Sequence, residues 1–110
     1  AYICAPTDEG RNSKKLRDYS RELYDLGFLP ICPTMIFSQF LISDVPEERE
    51  AAMEMSRDIL RRCRVVVVCS NYITENMGKD ILLVKRIGIV TTTLAGIRKI
   101  SQHTKKGEDE

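Results

Sequence analysis

One carboxylate in this sequence lies where a reactive group is expected. Residues 65–68 are a run of valines that predicts a buried strand, and Asp80 follows it in the amphipathic stretch MGKDILLVKRIG. On a helix that turns about 100° per residue, Met77 and Val84 lie on the inner stripe and Asp80 lies at its edge. An inward carboxylate is costly to keep charged unless it is paired. Asp80 therefore either accepts hydrogen bonds from the preceding loop or faces a cavity that holds a ligand.

A polar loop after the first predicted strand offers groups for binding an anion or a sugar. Arg11, together with free backbone amides at the start of the next helix, suits a phosphate or a carboxylate. Thr7, Asp8 and Asn12 suit a sugar or a base equally well. The loop contains neither of the common glycine-rich phosphate motifs, so a polar turn with a helix cap is the alternative interpretation.

Two aromatic residues lie in another loop of the sequence. Phe37 and Phe40 flank Gln39, and an aromatic face beside an amide can stack on a heterocycle and read its edge. The alternative is that both rings are core or subunit-interface residues.

The elements that must position these loops alternate along the chain. Strands are predicted at 2–6, 28–33, 65–69 and 89–92, helices at 13–26, 47–63, 77–87 and 94–100, and a partly ordered loop at 34–46. This order predicts an α/β fold, a three-layer α/β/α sandwich with a flavodoxin- or Rossmann-like parallel sheet of four to five strands. Ligands of such sheets bind beyond the carboxyl ends of the strands, where the strand order reverses, so the three loops are expected to meet there.

Composition limits the classes of function. The 110 residues are 43% hydrophobic and 30% charged with a net charge of +1, which predicts one globular domain over residues 1–100 and a solvated tail over 101–110. This charge gives no footprint for duplex nucleic acid, and no apolar run is long enough to span a membrane. We expect a cytoplasmic protein.

The cysteines are scattered rather than paired. Cys4, Cys32, Cys63 and Cys69 form no CxxC motif, and His103 is the single histidine. Buried, reduced thiols are predicted, with neither a metal site nor a cofactor.

Several segments together resemble a known superfamily. YICAP, PICPTMIFSQFL, PEEREAAMEMSRDILRRC, the valine strand and ITENMGKDILLVKRIGI occur in the order and spacing of the nucleoside 2-deoxyribosyltransferase-like superfamily. The resemblance is greatest to its branch of small phage and bacterial proteins and covers about residues 2 to 92.

The resemblance implies a function for Asp80. In that superfamily a glutamate at this place attacks the anomeric carbon of a nucleoside, and a new base or water then releases the sugar from the covalent intermediate. The implied protein binds a nucleoside or nucleotide, acts as a deoxyribosyltransferase or a (deoxy)nucleotide N-glycosidase without a cofactor, and forms a homodimer or a higher homo-oligomer. Besides the nucleophile Asp80, the implied substrate-binding residues are Tyr2, Thr7, Asp8, Arg11, Phe37, Asn71, Thr74, Asn76 and Met77.

Departures from the superfamily pattern support a second hypothesis. Asp80 replaces glutamate, Asn71 replaces an aspartate and Asn76 replaces a glycine, while Thr74 keeps the hydroxyl of a serine. Leu82 lies on the outer side of the same predicted helix. The alternative function is a catalytically degenerate module that senses nucleotides or binds another protein.

Overall fold

The fold is an α/β arrangement around a small parallel sheet. A computed structural model describes residues 1–6 and 13–108. In chain order the elements are β1 Tyr2–Cys4, α1 Ser13–Asp25, α2 Pro33–Phe37, α3 Pro46–Arg62, β2 Val65–Val68, α4 Glu75–Ile87, β3 Val90–Thr93 and α5 Leu94–Glu108. The predicted α/β class and parallel strands are confirmed.

The sheet has the order β1-β2-β3, with the valine strand β2 in the centre. Tyr2 is in register with Val66, and Val65 is in register with Val90. The strand predicted at 28–33 is reduced to a single bridge from Ile31 to Tyr2. Proline has no N–H for a ladder, and this segment contains Pro30 and ends at Pro33. The described residues therefore form three strands, fewer than the four to five predicted.

Two hydrophobic clusters lie on opposite faces of this sheet. On one face, Ile3 and Val67 pack with buried residues of α1 and α5 such as Leu23 and Ile97. On the other, the buried residues are Tyr2, Cys4, Leu60, Val66, Val68, Met77 and Val84, which come from β1, β2, α3 and α4. Alternate strand residues point to opposite faces, which is why a continuous valine run supplies both clusters.

The ends of α4 follow from local chemistry. The hydroxyl of Thr74 accepts a hydrogen bond from the backbone N–H of Met77 at 3.2 Å and caps the helix, which begins at Glu75, two residues before the predicted start. Gly88 ends it in the left-handed region with φ of 82°, and its N–H donates to the carbonyl of Val84. Asp80 therefore lies in the second turn rather than the first, where the helix dipole stabilises a carboxylate less.

Two further segments differ from the sequence prediction. The loop predicted at 34–46 contains the short helix α2, which begins with Pro33 at its first turn. The short helix predicted at 94–100 continues to Glu108, through most of the segment predicted to be a tail. Among the residues described, no helix combines the length and the apolar character needed to cross a membrane.

Candidate functional site

Asp80 is paired with an arginine of the neighbouring helix. Oδ1 of Asp80 on α4 lies 3.7 Å from Nε of Arg57 on α3, and their side chains are 22% and 32% exposed. This separation is longer than a typical N–H···O hydrogen bond, so the contact is mainly an ion pair. Asp80 was expected to accept hydrogen bonds from the preceding loop or to face a ligand cavity. In the structure it instead pairs with Arg57.

Burial outweighs the arginine in setting the charge of this carboxyl. Burial raises the pKa of Asp80 above its ordinary value of 3.8, and Arg57 offsets part of the rise by its charge and by hydrogen bonding. Ionised Asp80 is consequently disfavoured in the folded chain relative to an exposed aspartate. Raised carboxyl pKa values of this kind are frequent at functional sites, although structural pairs also produce them.

Two residues of β1 lie within the electrostatic reach of Asp80. Tyr2 is 5% exposed and Cys4 is 2% exposed, and both belong to the cluster under α3 and α4. Burial raises the pKa of the Tyr2 phenol, and the charge of Asp80 raises it further. The same two causes raise the pKa of the Cys4 thiol to about 12. Both groups therefore stay protonated at neutral pH.

The predicted site residues in and after the loop between β2 and α4 differ in their exposure to solvent. Asn71 and Asn76 are exposed, while Thr74 is half-buried and is occupied as the helix cap. Met77 is 3% exposed and packs in the core, so it is a core residue and not the substrate-binding residue that was predicted. Ser70 Oγ accepts a hydrogen bond from the N–H of Tyr72 at 3.1 Å, which shapes the turn after β2.

A small pocket lies at the carboxyl edge of β1 and β2. It holds about 30 Å³ and is lined by residues of α1 and of the two strand ends: Pro6, Lys15, Leu16, Tyr19, Ser70 and Tyr72. Its position agrees with the rule that ligands of parallel sheets bind beyond the carboxyl ends of the strands. The pocket is on the α1 side of the sheet, because Leu16 belongs to that cluster, whereas Asp80 lies on the α3 and α4 side.

Phe37 is not close to Asp80, and three other predicted residues have no described position. Thr7, Asp8 and Arg11 lie outside the described residues. Phe37 lines a shallow groove of about 250 Å³ against the face of α3 that carries Met55. Two residues along a helix turn by about 200°, so Arg57 and Met55 point in nearly opposite directions from α3. The structure thus places Phe37 and Asp80 on different sides of that helix.

The described part of the chain contains no cluster of side chains that could bind a metal ion. Within residues 1–6 and 13–108, no three His, Cys, Asp or Glu side chains converge as metal ligands would. Cys4, Cys32 and Cys69 are buried free thiols, and Cys63 is half-buried and also free.

Comparison with known proteins identifies the family of this chain. A family model described as "Domain of unknown function (DUF7768)" matches residues 1–94. The chain belongs to DUF7768. No curated protein and no solved structure matches it. The match contains both members of the Asp80–Arg57 pair and ends at the first residue of α5, so the DUF7768 domain includes the whole described sheet.

Arg57 is the residue of this DUF7768 site that sequence reasoning missed. The apolar stripe of α3 predicts that Arg57 lies largely outside, yet it is half-buried. The signal available in the sequence was the apolar residue Leu60 three positions later, because residues three apart on a helix share a side; the structure shows that Leu60 is fully buried. An arginine on the same side as a buried leucine indicates a buried anion nearby.

Proposed function

We propose that this DUF7768 domain binds a nucleoside or nucleotide and cleaves or transfers its N-glycosidic bond, with Asp80 as the nucleophile. The observation that carries the proposal is an inward, half-buried carboxylate on the helix that follows the central strand. The sequence resemblance to nucleoside 2-deoxyribosyltransferase-like proteins supplies the chemistry, and the flavodoxin-like sandwich predicted from the order of the elements is part of the proposal.

The proposed reaction has two displacements at the anomeric carbon. A carboxylate oxygen of Asp80 forms a bond to C1′ while the C1′–N bond breaks, and the electron pair leaves with the base, which takes a proton from water. Water or a second base then attacks C1′, the ester bond to Asp80 breaks, and the carboxylate is restored. The result is free base plus sugar, or a new nucleoside.

Arg57 is a positioning residue in this scheme. Its Nε faces Oδ1 of Asp80 at 3.7 Å, which leaves Oδ2 for the attack. Its charge also lowers the pKa of Asp80 against the effect of burial and so keeps more of the carboxyl ionised at neutral pH. We therefore expect activity to increase with pH as Asp80 ionises through its raised pKa.

The rest of the substrate is expected at the carboxyl edge of the sheet. Lys15 brings a cation suited to a phosphate, and Tyr19 and Tyr72 bring aromatic rings to the same pocket. Because this pocket and Asp80 lie on opposite sides of the sheet, a nucleotide that reaches both must lie across the edge formed by β1 and β2. Thr7, Asp8 and Arg11 follow β1 in the sequence, and we propose that they complete the binding site.

A panel assay tests the enzymatic proposal. Deoxynucleosides and deoxynucleoside monophosphates are incubated with the protein, and release of free base is followed by chromatography. We expect release with at least one substrate, loss of release in Asp80→Ala, and unchanged release in Asp25→Asn, which removes an exposed carboxylate that is also ion-paired. If no base is released and Asp80→Ala leaves every ligand affinity unchanged, the enzymatic proposal fails.

A second candidate function, a nucleotide-sensing or protein-binding module, is favoured by a specific observation. Asp80 already has Arg57 as its counter-ion, and among the described residues neither the pocket at the carboxyl edge nor the Phe37 groove is lined by Asp80. Leu82 is 66% exposed on the outer side of α4, where it can contact a partner. Thermal-shift measurements with nucleotides separate the candidates, because tight binding without base release indicates a sensor.

A further inference from the structure

An apolar groove lies between α2 and α3, away from Asp80. Phe37, Met55 and Ile59 form its floor, and Asp58 and Arg62 lie at its side and end. The chain around it exposes further apolar side chains: Ile36 is 47%, Phe40 is 63% and Ile42 is 59% exposed. Phe37 and Phe40 contact each other edge to face, with ring centroids 6.0 Å apart, so a second aromatic ring lies next to the groove.

On the groove-facing side of α3, residues are spaced symmetrically about Met55. Residues separated by about one or two helical turns share a side, and Glu48, Met55 and Arg62 follow one another at seven-residue intervals. Glu48 and Arg62 are therefore equally distant from Met55, with opposite charges. Ala51 and Ile59 lie on the same side at equal distances from Met55 and differ in size rather than in charge.

We propose that this groove is the contact surface for a second copy of the chain, with the two α3 helices antiparallel across a two-fold axis at Met55. In such an isologous contact, residues equally distant from the axis face each other. Glu48 then faces Arg62 of the second copy, Ala51 faces Ile59, and Met55 faces Met55. The small alanine leaves room for the isoleucine, and the flexible methionines fill the centre.

The charge distribution along α3 favours this occupant over a parallel or unrelated one. On the groove-facing side, the first half of α3 carries Glu48, and the second half carries Arg62 with one aspartate. That aspartate, Asp58, is already paired with Arg61 at 3.0 Å. An antiparallel copy therefore places Glu48 against Arg62 at both ends, whereas a parallel copy places like charges together.

Contacts already present leave both charged ends available. Oε1 of Glu48 accepts a hydrogen bond from the N–H of Ile42 at 3.3 Å, which orients the side chain and leaves its second oxygen to accept from an arginine. Arg62 is exposed at the far end of the groove. This inference does not depend on the proposed activity, because it concerns a different face of α3 from the one that carries Arg57.

Charge exchange tests the arrangement. Arg62→Glu alone is expected to raise the dimer Kd at least about tenfold in sedimentation equilibrium, because Glu48 then faces a glutamate at both ends. Glu48→Arg alone is expected to do the same. An equimolar mixture of the two variants is expected to recover the wild-type association, since each end again pairs a glutamate with an arginine. Arg86→Glu, an exposed change on α4, is the matched control and is expected to leave the Kd unchanged.

A further variant guards against a misfolded charge mutant. Met55→Arg places like charges at the axis, and we expect a monomer whose circular dichroism matches that of the wild type. The proposal is overturned if the wild type is monomeric at about 100 μM, if Arg62→Glu or Met55→Arg dimerises like the wild type, or if the mixture of charge variants does not associate.

Discussion

Nε of Arg57 lies 3.7 Å from Oδ1 of Asp80, and this pair connects α3 to α4 above the buried end of β1. The arginine is close enough to lower the pKa of the carboxyl, yet burial still holds that pKa above its ordinary value. The ionised form of Asp80 is therefore one that its surroundings do not fully stabilise. Such a carboxyl occurs both at functional sites and in structural ion pairs.

Replacing Asp80 by asparagine is expected to stabilise the folded chain at neutral pH. A raised folded pKa means that the native state binds more protons than the unfolded state between about pH 3.8 and the raised value. Stability of the wild type therefore falls as pH rises through that window and stays reduced above it. Thermal unfolding should give Asp80→Asn the higher Tm at pH 7 and nearly the same Tm as the wild type at pH 3.

Arg57→Gln is the companion variant for this measurement. Without the arginine, the pKa of Asp80 should rise further, so the variant loses stability at pH 7 and recovers part of it in acid. If Asp80→Asn instead lowers the Tm at pH 7 as much as Arg57→Gln does, the pair is a simple stabilising contact.

A second ion pair has the opposite pH dependence. Nη2 of Arg98 donates to Oε1 of Glu22 at 2.7 Å, and its Nε donates to the other carboxylate oxygen, which joins α5 to α1. The hydrogen bonds from Arg98 hold the pKa of Glu22 below its ordinary value of 4.5. The stabilisation is therefore complete above the ordinary value and is lost as pH falls through the depressed one.

We expect Glu22→Gln to reduce the free energy of unfolding by about 0.5–1 kcal/mol at pH 7, with a smaller difference from the wild type at about pH 3, which is below the ordinary pKa of 4.5. Urea unfolding at both pH values measures this. Asp25→Asn removes the partner of Arg21 in a pair whose side chains are 74% and 55% exposed, and it should cost little at either pH. Equal losses for the two variants would mean that the Glu22–Arg98 pair has no special role.

Much of the fold was predictable because local and tertiary preferences agree. The valine run can only be a buried strand, and Gly88 ends α4 where the apolar period stops. The segment around Ile31 was not predictable in the same way. Its apolar residues favour a strand, whereas its two prolines lack the N–H groups that a ladder needs. These opposing preferences leave a single bridge between Ile31 and Tyr2 of β1.

The site was predictable only in part. Helical periodicity placed Asp80 inward, and the structure agrees that it is half-buried. Its partner Arg57 depends on how α3 and α4 cross, which a periodicity within either helix does not contain. Likewise, Phe37 was expected beside Asp80 because both follow strands, but the short helix α2 carries Phe37 to the far side of α3.

The cap at Thr74 tests the local basis of the site. Thr74→Ala removes the hydroxyl that accepts from the N–H of Met77, and we expect a loss of about 1 kcal/mol in the free energy of unfolding. Thr74→Ser keeps the acceptor and should lose much less. Equal unfolding curves for the alanine and serine variants would contradict a capping role for this residue.

The cluster under α3 and α4 should depend strongly on Leu60. This side chain is fully buried against β2, so Leu60→Ala leaves a cavity and is expected to cost about 2–5 kcal/mol. Leu82→Ala is the matched control, because Leu82 is 66% exposed and its truncation should change stability by less than about 0.5 kcal/mol. Chemical denaturation of the two variants compares them directly, and a similar loss in both would contradict the described packing.

The most direct test of the central claim is the rate of base release by variants of residue 80, measured on the best substrate of the deoxynucleoside panel. If Asp80 is the nucleophile, Asp80→Asn abolishes release, and Asp80→Glu changes the rate by up to about 10²-fold, because one methylene moves the attacking oxygen by about 1 Å. The Asp25→Asn control should match the wild type. Wild-type rates of base release in Asp80→Asn would contradict the claim.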